Sequence, residues 1–382
     1  MKILHLLWTA HFGGIERLAI DLAKAQSDVN EIRADVLFGR SEGEMLPQFR
    51  SAGLTFKGVH LSHGFDISPR SLRELKQIYS DYDVLHFHTF IPAMALAAIG
   101  SAAKIVYTEH GNFGIGRRPT MTDRVKWSLL GRFLRRHADF VSFNSHYTRK
   151  IAERRYGLQA VARDVIYNGI DFSAEPSAGP AIIPQVQDRI RGKFIVGTSS
   201  RFAAFKRIDR LIEAFNSFSA GRDTVLLLVG DGPARGEFES MVRTMGISDK
   251  VIFAGYQENV RLYQEAMNVC VFPSQGEPFG LAAVETLALG KPTLVFSDSG
   301  GLSEIIGNCD TADVVDDVPH LVRRLEHHYA ARQVMDEGKK RERMLYVRRF
   351  DIRTMANTFA GVYNRVLPSA GRAMTTSAVP TK

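Results

Sequence analysis

Short, almost wholly apolar runs alternate along the chain with longer stretches in which apolar residues recur at helical spacing. The first half offers strands at 2–8, 34–38, 84–87, 104–108 and 139–143, and the second at 194–198, 224–229, 250–253, 268–272 and 292–296. Runs this short and this apolar suit strands buried on both faces, which predicts an α/β protein with parallel sheets covered by helices. Between the two sets, residues 172–184 are rich in Pro, Ala and Ser and break both periodicities, as an exposed linker does. The expected division is a first domain at 1–172, a linker at 173–190, a second domain at 191–348 and a small, polar tail at 367–382. Doubly wound sheets place ligands at the carboxyl ends of their strands, so the site should lie in a cleft between the domains. No tandem repeat of solenoid period interrupts the pattern.

One helix breaks the rule that buried helices are uncharged. Glu285 stands alone in an otherwise uncharged stretch from Pro278 to Gly290, eight positions after Glu277. Pro278 suits a first helical turn, Gly290 suits a stop with Pro292 beyond it, and a helix at 279–289 is predicted. An ionised carboxylate buried there without a partner is costly, so something polar should meet it. Eight helical residues advance about 12 Å, the scale of a sugar, a diphosphate and part of a ribose. The helix start offers the amides of Phe279, Gly280 and Leu281 to an anion, and Gly280 has no side chain in the way.

Glu277-Pro278-Phe279-Gly280 followed by Glu285 resembles the paired-glutamate signature of the retaining glycosyltransferases of family 4. That resemblance implies the GT-B fold: two Rossmann-like domains facing a cleft, with a terminal helix, here 351–366, crossing back onto the first domain. It also implies that Glu277 orients the donor sugar and Glu285 binds the ribose. Gly13 and Gly14, in the turn after the first strand, match the family loop near the donor phosphate and the acceptor. Tyr256, after the strand at 250–253, lies where the family holds the base, mainly through backbone.

Arg201 and Lys206 flank the turn before a helix expected at 207–218, where cations oppose the helix dipole. A bound diphosphate would remove that conflict, and the pattern is similar to the family's diphosphate-binding pair. It departs in one place, because Arg207 follows Lys206 where glycine is common. His110 follows the strand at 104–108 and should project into the cleft; its position is similar to the family's active-site histidine. His86 and His88 point to one face of their strand, as a metal pair would. With no third ligand at a suggestive spacing, and no metal in the family's site, both are expected to be structural. Neither a metal nor a cofactor beyond the nucleotide sugar is expected.

At 382 residues and 45% apolar content the chain can build a sizeable core. No apolar run approaches the ~20 residues that span a bilayer, and the amino terminus is too short in its apolar part for a signal peptide, so cytoplasmic residence is expected. Cys270 and Cys309 have no metal-spaced neighbours and are expected to be reduced. The net charge is +8, and residues 116–150 hold nine cations against two acids. Arg117, Arg118, Arg124, Lys126, Arg132, Arg135 and Arg136 interleave there with Trp127, Leu129, Leu130, Phe133 and Leu134. The segment reads as a basic amphipathic helix for an anionic membrane surface or, equally, as a solvated helix with a core stripe. No nucleic-acid motif accompanies it.

The resemblance therefore implies a retaining, metal-independent hexosyltransferase using a nucleoside diphosphate sugar, UDP before GDP. Its acceptor would be a glycan or lipid-linked glycan, as in bacterial surface polysaccharide or lipopolysaccharide synthesis on the inner face of the membrane. The alternatives are an epimerase or hydrolase on the same fold, and a noncatalytic sugar-nucleotide-binding subunit.

Overall fold

The apolar runs become two parallel sheets in the computed structural model, which describes residues 1–11, 13–30, 32–111, 119–172, 181–333 and 336–367. The first sheet comprises β1 (Lys2–Leu7), β2 (Arg33–Phe38), β3 (Phe56–Gly58), β4 (Val84–Phe87), β5 (Lys104–Glu109), β6 (Phe140–Phe143) and β7 (Arg163–Val165), in the order β3-β2-β1-β4-β5-β6-β7. The second comprises β8 (Phe194–Ser199), β9 (Thr224–Val229), β10 (Val251–Gly255), β11 (Val269–Phe272), β12 (Thr293–Phe296) and β13 (Val314–Val315), in the order β10-β9-β8-β11-β12-β13. The two-domain doubly wound architecture read from the sequence is therefore present. Three edge strands, β3, β7 and β13, escaped it because two or three residues are too few to make an apolar run.

In both sheets the order reverses beside the first strand, between β1 and β4 and between β8 and β11. A crevice opens at such a reversal because successive connections leave to opposite faces. The loops after β1, β8 and β11 carry Gly13 and Gly14, Arg201, and Glu277 respectively, which is why residues so far apart in sequence share one region.

The expected linker is only partly one. Residues 173–180 lie outside the described residues, but Pro184–Ile190 is a helix whose Val186 and Ile190 are buried against the second domain. The chain returns to the first domain at Ile170, which pairs with the segment before the terminal helix Ile352–Val366: Ile170 N donates to Phe350 O at 2.8 Å and Ile352 N to Ile170 O at 3.0 Å. A Cβ on Gly169 would fall 2.5 Å from the Ile352 Cα, so glycine permits this crossing. Met355, Phe359, Val362 and Tyr363 then pack with Leu18 and Leu22 of the helix Gly14–Asn30. Among the described residues no helix is long and apolar enough to cross a membrane.

Candidate functional site

The helix predicted at 279–289 begins two residues later, spanning Leu281–Ala288. Gly280 is its N-cap in the left-handed region (φ 89°), and a Cβ there would meet the Leu302 side chain at 2.8 Å. Glycine is thus required twice over at this position. Pro278 therefore lies before the helix, not in its first turn. Phe279 is buried against Tyr167 and Phe350, so its side chain belongs to the core and cannot touch a ligand. The open amides are those of Leu281 and Ala282, as at any helix start.

Gly14, Arg201, Tyr256 and Glu285 line one cavity of about 750 Å³, together with Ser199, Gly230, Asp231 and Gln257. Its floor is the carboxyl ends of β8, β9 and β10, and its opposite wall is the start of the helix Gly14–Asn30. Arg201 is exposed and has no side-chain hydrogen-bond or ion-pair partner among the described residues. A free guanidinium at the end of β8 is a ready anion contact. Gly14 closes on the other domain, since a Cβ there would stand 3.6 Å from Leu281 Cδ1. Gly13 is not in this wall; its small size makes room for the Glu16 carboxylate.

Glu285 does have a polar neighbour, Gln264, whose Nε2 lies 3.5 Å from Oε2 while also donating to Ser199 Oγ at 2.9 Å. Burial raises the Glu285 carboxyl above its usual range, against the Gln264 hydrogen bond and the positive charge of Arg17. The contact is long, and the carboxylate still lines the cavity, so it retains acceptor capacity for hydroxyls.

Glu277 and Lys206 form a separate contact. Lys206 Nζ donates to Glu277 Oε2 at 2.6 Å, with both side chains mostly shielded. The position after Lys206 explains its own departure from the family pattern. Arg207 is the one non-glycine residue with positive φ (47°) among the described residues, a conformation that glycine adopts freely. Its guanidinium compensates by a bidentate pair with Asp298, at 2.8 and 2.6 Å, and by donating to Pro273 O at 3.0 Å. Arg207 occupies the N-cap position of the helix Ile208–Phe218, which starts one residue later than expected.

His110 is buried at the end of β5 and lines a different cavity, of about 230 Å³, with Lys126, Trp127, Asp123 and Tyr156. The loop after β5 touches the second domain: Pro278 packs so closely on Gly111 that a Cβ there would lie 2.4 Å from Pro278 Cγ, and Ser145 Oγ donates to Pro278 O at 2.6 Å. Glu304 reinforces the same junction. It accepts from the Tyr147 amide at 3.1 Å and from Tyr167 Oη at 2.8 Å across the domain boundary.

The third histidine that the sequence spacing did not offer is His5, on β1. Ring nitrogens of His5, His86 and His88 lie within 4.8 Å of one another, so the pair on β4 belongs to a cluster. All six of those nitrogens are already hydrogen-bonded, to Gln26, Tyr363, Thr108, His110 or each other. The structural reading of His86 and His88 thus gains partners that no local spacing could reveal, because they come from β1, β5, the loop after β5 and the terminal helix.

The basic helix spans Met121–His137, behind a capping box between Thr120 and Asp123. Trp127 does not face outward: it packs against the first core, lies in the His110 cavity, and is covered by Arg155 at 3.7 Å. Leu130, Phe133 and Leu134 are core as well. Arg135 donates to Tyr156 O, the last turn of the next helix, and so is partly spent on structure. The outward stripe is instead Met121, Val125 and Leu129, all exposed, continuing through Arg132 and Arg136. Arg117 and Arg118 lie outside the described residues.

Comparisons with known proteins agree with this layout. A family described as Glycosyltransferase Family 4 matches residues 12–174, and one described as Glycosyl transferases group 1 matches residues 182–349. The chain is 28% identical over 238 residues to the N-acetyl-alpha-D-glucosaminyl L-malate synthase of Bacillus anthracis, covering 60% of each. It is 32% identical over 149 residues to the lipopolysaccharide core biosynthesis glycosyltransferase LpsD of Rhizobium meliloti, covering 38% of this chain and 43% of that one. The matches span about half of the length of such curated relatives. Among solved structures, Anabaena HepE in complex with UDP superimposes with a TM-score of 0.81 at 22% identity, over 96% of this chain and 100% of that one, which shows a shared fold.

Proposed function

We propose, for a chain that belongs to the glycosyltransferases of GT-B fold, that it moves a hexose from a nucleoside diphosphate sugar to a hydroxyl of a glycan or lipid-linked glycan. The observation that carries this reading is the 750 Å³ cavity, where Arg201, unpaired among the described residues, a helix start and the acceptor carboxylate of Glu285 face one space. A sugar nucleotide presents the complementary groups: a diphosphate for the cation and amides, and ribose hydroxyls for the carboxylate.

In the reaction the bond from the sugar C1 to the diphosphate oxygen breaks, and a bond from C1 to the acceptor oxygen forms on the same face. The acceptor proton passes to the leaving phosphate. Arg201, Lys206 and the Leu281 and Ala282 amides are preorganised against the charge that develops there, so the reading assigns that task to no metal. Glu277 orients the sugar through its hydroxyls, and His110 contacts it from the first domain. The Lys206–Glu277 pair then serves as a ready bridge between diphosphate and sugar. Retention by this front-face route, and UDP as the nucleotide, are part of the proposal; the complexes of HepE with UDP and with UDP-glucose favour UDP.

The exposed stripe of Met121, Val125 and Leu129, followed by Arg132 and Arg136, supports a lipid-linked acceptor used at the cytoplasmic face of an anionic membrane. A relative in lipopolysaccharide core synthesis is consistent with that class. Thermal-shift measurements with UDP and GDP sugars test the donor claim, since a ligand at 100 times its Kd stabilises by about 2.7 kcal/mol. Absence of any shift across the series would overturn it.

A further inference from the structure

Four buried histidines do not sit in the first domain as independent core residues. A continuous line of hydrogen bonds runs from the helix Gly14–Asn30 through the sheet to the cleft: Gln26 Oε1 to His5 Nε2 at 2.8 Å, His5 Nδ1 to His88 Nε2 at 2.9 Å, and His88 Nδ1 to His110 Nε2 at 3.1 Å. His5 and His88 are 0% and 3% exposed, and His110 is at the cleft end. The orientation of the Gln26 amide, with Oε1 toward His5 and Nε2 toward Tyr363, sets the sense of the line. An amide oxygen accepts and never donates, whereas a neutral imidazole has one donor and one acceptor nitrogen.

The consequence propagates. Gln26 Oε1 requires a proton on His5 Nε2, which leaves His5 Nδ1 as acceptor. His88 must then carry its proton on Nε2, and His110 likewise. The other end of the same amide sets a second branch with the same sense. Gln26 Nε2 donates to Tyr363 Oη at 3.1 Å, Tyr363 Oη donates to His86 Nδ1 at 2.7 Å, and His86 Nε2 donates to Thr108 Oγ1 at 2.6 Å. One glutamine thus polarises four imidazoles. The scheme requires neutral rings, and burial holds all four below the usual histidine range, His5 and His110 at about 4.

We propose that Gln26, His5 and His88 are positioning residues that fix His110 as its Nε2–H tautomer, leaving Nδ1 as an acceptor for a sugar hydroxyl. His110 Nδ1 has no hydrogen-bond partner among the described residues, and His110 lines the 230 Å³ cavity beside Trp127, Asp123 and Lys126. An aromatic wall with a few polar groups suits a sugar ring. The identity of the ligand rests on the glycosyltransferase reading; the tautomer does not. Tyr363 comes from the terminal helix, so the segment that returns from the second domain also braces the relay.

The test is the histidine ¹⁵N spectrum of the ligand-free protein with ¹⁵N-labelled imidazoles at pH 7.5, with signals assigned from His110→Asn and His88→Asn variants. His5, His88 and His110 should all show the Nε2–H pattern, and an Nδ1–H pattern at His110 would overturn the proposal. Gln26→Leu should populate the Nδ1–H form of His110, while Gln26→Glu, whose carboxylate also accepts from His5, should keep the wild-type pattern. An unchanged His110 signal in Gln26→Leu would equally sink it. With UDP-glucose as donor, Gln26→Leu should lower kcat by about 10- to 100-fold, the cost seen for the outer partners of metal-bound histidines, with KM nearly constant. The tautomer is read without ligand, so it is decided even if UDP-glucose is not turned over.

Discussion

Lys206 and Glu277, separated by 71 positions in sequence, meet at 2.6 Å and shield each other from water. In the proposed complex the pair stays together, the lysine also donating to phosphate and the glutamate also accepting from sugar hydroxyls. Lys206→Ala should weaken UDP binding by about 1.5–3 kcal/mol, the range of a hydrogen bond to a charged group. Glu277→Gln, which has the same shape, should leave UDP binding nearly unchanged and lower turnover. Calorimetric titration with UDP and steady-state kinetics separate the two, and equal losses of affinity in both variants would contradict the division.

Glu285 should act in the opposite sense. Removing it by Glu285→Ala takes an acceptor from the cavity wall and relieves a carboxyl whose ionised form burial disfavours. The protein should therefore keep or slightly raise its Tm, while affinity for UDP falls about tenfold, the equivalent of one hydrogen bond of about 1.4 kcal/mol. Uridine diphosphate and its deoxyribose analogue, titrated in parallel, check the ribose contact: the variant should no longer discriminate between them.

At position 207, two effects can be told apart by two substitutions. Arg207→Ala loses the bidentate pair with Asp298 and keeps the strain of a Cβ at φ 47°, whereas Arg207→Gly loses the pair and releases the strain. The glycine variant should be the more stable of the two by about 1 kcal/mol. Denaturant midpoints measure the difference, and an alanine variant as stable as the glycine one would remove strain from the account.

Acid should loosen the first domain before the carboxylates are involved. His5 and His110 have folded values near 4 against 6.5 for free histidine, so between those limits the unfolded chain binds more protons. Their contribution is complete above pH 6.5 and declines as the pH falls toward 4. Each such group steepens the decline by up to about 1.4 kcal/mol per pH unit. Chemical denaturation at a series of pH values should show the slope, and His5→Gln should flatten it.

For the outward stripe of the helix Met121–His137, flotation with anionic vesicles supplies the measurement. Arg132 and Arg136 changed to Glu, or Met121, Val125 and Leu129 changed to Ser, should each reduce the bound fraction, at about 1 kcal/mol per surface cation. Arg135→Glu is a poorer probe, because that side chain holds Tyr156 O. Association unaffected by either set would assign the stripe to solvent.

Much of this protein was legible along the chain. Ten of the strands announce themselves because a strand buried on both faces needs a short, continuous apolar run, and that requirement is local. The Glu277–Glu285 spacing, the Arg201–Lys206 turn and the His110 strand end are local in the same sense, since each depends on one loop or one helix start. The helix boundary at Leu281 was not, because Phe279 is drawn into a core built by Tyr167 and Phe350 from other elements.

The chain's own order thus determined two parallel sheets, a cleft at their reversals and the residue types that line it. Tertiary structure decided who meets whom: Lys206 with Glu277, Gln264 with Glu285, Asp298 with Arg207, and Gln26 with the histidines behind His110. It also turned Trp127 inward, toward the cavity of His110, where cations interleaved with apolar residues had left a membrane face and a core stripe as equal readings. The reason is common to all of these. A buried polar group must find a partner wherever the fold brings one, and parallel sheets bring together loops that lie tens of residues apart.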